Sequence, residues 1–93
     1  MIPKDKIKEI KDRLDGHATA TILVYMGYEL YRGNKFKLRD EKTPSTSIRS
    51  QDGYIKDFGG NFGGDLIKFL REQHDMSFEE AVRYIAECLG VIL

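Results

Sequence analysis

Hydrophobic positions along the chain change their period several times, and each change marks an element. Behind Pro3, a residue suited to a first helical turn, Ile7, Ile10 and Leu14 recur at spacings of three and four until Gly16 interrupts, which predicts a short amphipathic helix. His17 to Met26 is apolar and rich in Thr, Ile and Val, a composition open to a buried helix or a strand; we take it as a helix that stops at Gly27. Tyr28 to Arg32 and Lys35 to Arg39 then alternate with the period of a strand on either side of Gly33-Asn34, a pair that accepts positive φ in a tight turn. Ser45 to Arg49 and Gly53 to Phe58 predict a second hairpin around Gln51-Asp52-Gly53. The stretch Gly59-Gly60-Asn61-Phe62-Gly63-Gly64 reads as a flexible strand-to-helix connection, after which Asp65 caps a helix carrying Leu66, Ile67, Phe69 and Leu70. A break near Asp75 precedes Ser77-Phe78-Glu79-Glu80, a capping-box pattern, and the apolar face Phe78, Ala81, Val82, Ile85 and Leu89 runs on to Gly90. The order predicts an α+β fold: a small antiparallel sheet of two hairpins flanked by N-terminal and C-terminal helices, with residues 1–93 as one domain.

Composition narrows the classes of function. With 41% hydrophobic and 32% charged residues the chain is of globular type, and no apolar run approaches the roughly 20 residues of a membrane span. Its first residues resemble neither a signal core nor a transit pattern, so the expected location is cytoplasmic, with no membrane partner. Ninety-three residues suit one small domain and are too few for that domain plus a nucleotide-handling catalytic one. Cys88 is the single cysteine, which excludes an intrachain disulfide and a cluster of thiolates; it reads as a packing residue. His17 and His74 lie too far apart for ordinary metal spacing, the glycine stretch lacks the Gly-Lys-Ser/Thr ending of a phosphate loop, and no Ser/His/Asp set stands out. Fifteen cations balance fifteen anions, but unevenly: residues 28–58 hold seven Lys/Arg against five Asp/Glu, and residues 59–93 three against six. The middle is basic and the end acidic.

One order of motifs is more specific. Glu41-Lys42-Thr43-Pro44-Ser45 is followed by Phe58-Gly59, by Gly63-Gly64-Asp65 and by Ser77-Phe78-Glu79-Glu80-Ala81-Val82. This order and spacing resemble the N-terminal zinc-ribbon domain of bacterial replicative primases over almost the whole chain. That family carries a Cys-x-x-His knuckle before Glu-Lys-Thr-Pro-Ser and a Cys-x-x-Cys knuckle around Phe-Gly. The resemblance puts Phe36 and Arg39 where the first cysteine and the histidine stand, and Asp57 and Gly60 at the second pair. It therefore implies a degenerate ribbon lacking all four ligands, with no zinc and no other cofactor. It also implies that Arg39 and Asp57 pair across the two knuckles while Phe36 fills space beside them.

The function implied by the resemblance is non-catalytic: a single-stranded DNA template-binding accessory module of a primase or DNA polymerase complex, assisting primer synthesis in trans with a separate catalytic subunit. The residues suit that role. Lys35, Lys37 and Arg39 alternate with Phe36 and Leu38, so a strand turns the cations to one face. Lys42, Arg49 and Lys56 lie in adjoining segments, and Tyr54 or Phe58 offers a ring for base stacking, unless these rings pack against the helices instead. The expected nucleic-acid contacts are Lys35, Lys37, Lys42, Arg49, Tyr54 and Lys56. Docking to the catalytic partner is expected around Val91, Ile92 and Leu93 or the last two helices, with a core role for that tail as the other reading. The alternative function is a protein-interaction adaptor that docks a replication partner without binding DNA.

Overall fold

Four helices and four short strands, all on one continuous apolar core, make up the computed structural model of the chain, which describes residues 1–40 and 42–93. Glu41, the first residue of the Glu-Lys-Thr-Pro-Ser motif, lies outside the described residues. Helix α1 spans Lys4–Arg13; the Pro3 carbonyl accepts from the Lys6 and Ile7 amides, and Ile10 is its buried side chain. It ends at Leu14, earlier than the predicted stop at Gly16, because Asp15 already caps the next helix by accepting from the Ala18 amide at 2.9 Å. Helix α2 (Gly16–Tyr25) begins at that glycine and settles the choice left open by its composition. Gly16 is there for space: a Cβ on it would come within 2.6 Å of the Ser50 backbone, on which its own N–H donates to the Ser50 carbonyl at 3.0 Å.

Strands β1 (Lys35–Phe36), β2 (Thr46–Ile48), β3 (Ile55–Asp57) and β4 (Gly63–Gly64) form one antiparallel sheet in the order β1-β2-β3-β4. The α+β class and the flanking helices are as the sequence predicts, while two of the strand assignments move. The expected hairpin of Tyr28 to Arg32 with Lys35 to Arg39 shrinks, among the described residues, to a bridge between Tyr31 and Lys35 and the two residues of β1, which also pairs with β2, and Arg39 leaves the expected row of cations to meet Asp57. The physical reason is burial, since Tyr28 turns into the core against Phe36 and Phe69, with ring centroids 5.2 and 5.8 Å away. The glycine stretch is not merely a connection either. Gly63 and Gly64 pair with Lys56 and Ile55 as the edge strand, where backbone hydrogen bonds need no side chain.

The sheet's inner face rests on the helices. Helix α3 (Leu66–Gln73) starts at Asp65, whose carboxylate accepts from the Lys68 amide at 2.9 Å, and buries Leu66, Ile67, Phe69 and Leu70. Phe69 is the hub of an aromatic cluster with Phe62, Phe36 and Tyr28 in edge-to-face contact. After Asp75, at φ 55°, helix α4 (Phe78–Leu89) opens with both bonds of the capping box: Ser77 Oγ accepts from the Glu80 amide at 3.0 Å, and Glu80 Oε1 accepts from the Ser77 amide at 2.8 Å. Gly90, at φ 74°, ends it in the left-handed conformation. Helix α4 packs on α1, α2 and α3 and so closes the core.

Two neighbouring positions test this packing in opposite directions. Gly53, in the β2–β3 turn at φ 73°, has Thr19 Oγ1, the Leu14 carbonyl and the Asp15 carbonyl within 2.4 to 2.8 Å of where a Cβ would stand. Gly53→Ala is expected to lower unfolding free energy by about 2 kcal/mol or more, from overpacking and an unfavourable φ together. The Thr19 hydroxyl, fully buried, has no hydrogen-bond partner among the described residues. Thr19→Val is therefore expected to be neutral or to stabilise by about 1 kcal/mol, and urea unfolding of both variants checks the pair of signs.

Candidate nucleic-acid interface

Strand pairing sorts the candidate residues onto two faces. On the outer face Lys35, Ser47, Lys56 and Gly63 are consecutive register partners across all four strands. Lys35 and Lys56 thus stand two strand spacings apart, about 9–10 Å, with only a serine between them. The alternation of β3 continues this face lengthwise: Tyr54, Lys56 and Phe58 are exposed while Ile55 and Asp57 are buried. Phe58, at 71% exposure, is the more available of the two rings. Tyr54 leans over Gly63, whose missing Cβ would stand 2.6 Å from the phenol oxygen, and carries the Arg49 guanidinium 4.9 Å above its ring.

The cations are not equally available. Lys35, Lys42 and Lys56 are exposed, Lys42 on the loop between β1 and β2. Lys37 is half-buried with its ammonium 5.4 Å from the Tyr31 ring centroid. Arg49 is engaged by Asp52, with Nε donating to Oδ1 at 2.9 Å and a terminal nitrogen to Oδ2 at 2.6 Å. That guanidinium, followed by the Tyr54 amide, holds the Asp52 carboxyl at about 2, below its usual 3.8. Asp52 was not among the sequence candidates, nor was Tyr31. The three-residue separation of Arg49 and Asp52 across a turn was the available signal for the first; Tyr31 had none, because its role depends on the bridge to Lys35.

Of the four positions that the resemblance matches to the family's metal ligands, Phe36 and Asp57 lie on the inner side, and Arg39 and Gly60 are exposed in the loops that follow β1 and β3. Phe36, Thr46 and Asp57 are register partners across β1, β2 and β3, all buried. Asp57 Oδ2 accepts from the Arg39 guanidinium, and its Oδ1 accepts from the Gly59 amide at 3.1 Å and the Thr46 hydroxyl at 3.2 Å. Gly60 lies over this pair: a Cβ there would stand 2.6 Å from Asp57 Oδ2 and 2.9 Å from Arg39. Arg39, Asp57 and Gly60 come together, whereas Phe36 turns toward Phe69, 5.8 Å between centroids. This donor set does not fit zinc. One carboxylate already bound to a guanidinium, beside a phenyl ring and a glycine, offers no tetrahedral site, and no group of three His, Cys, Asp or Glu able to hold a metal occurs among the described residues.

Comparison with known proteins bears on the same residues. The profile of the CHC2 zinc finger, a zinc ribbon of primases, matches residues 2–93. A DNA primase of Thermotoga maritima is 31% identical over 97 aligned residues, covering 100% of this chain and 17% of its own length. A DNA primase of Staphylococcus aureus is 32% identical over 93 residues, covering 97% of the chain and 15% of its own length. A DNA primase of Lactococcus lactis is 40% identical over 53 residues, covering 57% of the chain and 8% of its own length. The chain thus spans less than a fifth of the length of these relatives. No helix among the described residues is long and apolar enough to cross a membrane.

The Arg49–Asp52 pair gives a pH signature. Because the folded carboxyl titrates at about 2 and the unfolded one near 3.8, the pair's contribution is complete above the higher value and is lost as pH falls through the lower. The stability difference between the protein and Asp52→Asn is expected to be present at neutral pH and to vanish at the acid end of that window, as read by chemical unfolding at a series of pH values.

Proposed function

This chain belongs to the CHC2 zinc-finger family of primase zinc ribbons, and from that premise we propose that it is a non-catalytic module that holds single-stranded DNA template for a primase or DNA polymerase catalytic subunit acting in trans. Residues 1–93 act as one unit, in the cytoplasm, without a cofactor. The observation that carries the reading is the outer face of the sheet, where Lys35 and Lys56 stand in one register row, with Tyr54 and Phe58 exposed on either side of Lys56 along the chain and Lys37 following β1. Backbone phosphates are met by ammonium groups, and bases stack on rings regardless of sequence, which suits a template whose sequence varies. Lys56 on β3 has an exposed ring to either side in the chain, Tyr54 just before the strand and Phe58 in the turn just after it, an order of ring, cation and ring that a single strand of DNA can follow. Lys42 extends the basic surface from the β1–β2 loop, and Arg49 joins it to the extent that Asp52 leaves its guanidinium free.

The adaptor reading has its own observation. Val24, Tyr25 and Ile92 are exposed at 51%, 79% and 85%, while Val91 is buried, so apolar surface on α2 and the C-terminal tail is open to a protein partner. Such docking is compatible with the module, since tethering to a catalytic subunit raises template affinity without adding to the DNA interface. An adaptor alone would not bind DNA.

Fluorescence anisotropy with labelled oligo-dT separates the two readings. Binding is expected to weaken as salt rises, and the combined Lys35→Ala, Lys37→Ala, Lys42→Ala and Lys56→Ala variant is expected to lose tenfold or more in affinity, with the logarithmic salt slope shallower by about 0.7 for each phosphate no longer neutralised. Asp52→Asn is expected to bind more tightly, because it removes an anion and releases Arg49. Unchanged binding in the combined variant would place the interface elsewhere, and no binding at any salt concentration would favour the adaptor. Added to a primase or polymerase reaction, the protein is expected to raise primer synthesis.

A further inference from the structure

The family is named for a metal site that these residues cannot build, and what stands in its place has a definite structure. We infer that the Arg39–Asp57 pair, seated on Gly59 and Gly60, has replaced the metal as the link between the β1–β2 loop and the β3–β4 turn, so that the domain holds its sheet without zinc or thiolate. This goes beyond the proposed DNA role and does not depend on it.

Three observations carry the inference. Asp57 is 2% exposed, and a carboxylate so buried is tolerated only when its oxygens are fully engaged by donors. Its donors come from both segments that the metal would join: Arg39 from the β1–β2 loop, Gly59 from the β3–β4 turn, and Thr46 from β2 between them. A metal cross-link and this network therefore connect the same parts of the chain.

The glycines supply the second observation. A Cβ on Gly59 would lie 2.7 Å from one terminal nitrogen of Arg39, and a Cβ on Gly60 would lie 2.9 Å from the other. Neither glycine has a φ in the left-handed region, so the backbone itself would accept an alanine at either position. What excludes a side chain at position 60 is the ion pair itself, with Asp57 Oδ2 nearest at 2.6 Å, and at position 59 it is the Ser45 hydroxyl at 2.6 Å together with Arg39. The absence of a side chain at position 60 is thus the space that Asp57 and Arg39 together occupy, and the glycine and the ion pair depend on each other.

Phe36 is the third. It is fully buried, lies in the same cross-strand row as Asp57, and fixes β1 onto α3 through Phe69 and onto the preceding loop through Tyr28. The strand that a ligand at this position would have tied down is held by aromatic packing. The one cysteine, Cys88, sits on α4, where burial pushes its thiol up and away from the reactive thiolate.

The test is thermal unfolding of the full chain as Gly60→Ala, Arg39→Ala and the double variant, each with and without a chelator. An alanine at a glycine with permitted φ ordinarily stabilises by restricting the unfolded chain. Here Gly60→Ala is expected to lower the midpoint by about 4–8 °C, and the loss is expected to shrink in the Arg39→Ala background, where the Asp57 carboxylate, 2.6 Å from the new Cβ, is no longer held in place by the guanidinium. The midpoint of the unaltered protein is expected to be the same with chelator and after peroxide treatment. A Gly60→Ala midpoint that is unchanged or raised, an equal effect in both backgrounds, or unfolding on chelation would each overturn the inference. If Arg39→Ala does not fold, Arg39→Gln replaces it in the cycle, and the sign for Gly60→Ala alone still decides.

Discussion

A carboxylate cut off from water has to be surrounded by donors, and the way Asp57 meets that requirement fixes the centre of the molecule. Its two oxygens gather a guanidinium, a hydroxyl and a backbone amide from three separate segments. Removing any one donor leaves part of a buried charge unsatisfied, at a cost of roughly 1–3 kcal/mol or more. An ion pair whose carboxylate is buried while its guanidinium stays 42% exposed is not by itself a strong source of stability, because desolvation and solvent screening offset much of the attraction. Its effect is on geometry: few other arrangements of the β1–β2 loop and the β3–β4 turn satisfy the same carboxylate. The stability itself comes from the apolar core, to which all four helices contribute.

The strand period then carries this constraint outward. With Phe36, Thr46 and Asp57 in one inward row, Lys35, Ser47, Lys56 and Gly63 must form the adjacent outward row. A slip of one residue would bring a lysine into the aromatic cluster and put Asp57 in solvent, so the inner face is what holds the outer face in register. Gly63 and Gly64 serve both sides. As an edge strand they complete the ladder of β3, and by having no side chain Gly63 leaves room for the Tyr54 phenol.

Much of this was legible in the sequence where the signal is local. The capping box of Ser77 and Glu80, the cap at Asp65 and the turn at Asp52-Gly53 are decided by residues within three or four positions of one another, and each has its expected structure. The pairing of Arg39 with Asp57 was legible by a different route, through the alignment of two motifs that place them 18 residues apart. What the sequence concealed depends on tertiary contact. The Tyr28 to Arg32 alternation is a valid strand pattern, but Tyr28 has more to gain against Phe36 and Phe69 than in a two-stranded ribbon. Glycine carries little strand propensity, so β4 is visible only once β3 is there to pair with it. The engagement of Arg49 by Asp52 was hidden for the opposite reason: both residues were plain to see, but a count of cations does not say which of them are already paired.

Membership of a zinc-finger family and the loss of its metal ligands are compatible because metal and core do different work in a domain of this size. Very small zinc modules fold only with their metal, since they bury too little apolar surface. Here Ile10, Leu23, Phe69, Leu70 and Ile85 are fully buried on four different helices, so a core exists independently of any link between the knuckles. What remains for such a link is to orient a short strand, and a hydrogen-bonded ion pair is sufficient for that. The consequence for the proposed template platform is direct. Asp57 lies between Lys56 and Phe58, so holding its carboxylate inward turns the preceding ammonium outward along β3, and Phe58 is exposed at the start of the turn that follows. The pair that stands at the metal positions thereby sets the aim of a side chain that would meet DNA, although neither Arg39 nor Asp57 need touch it.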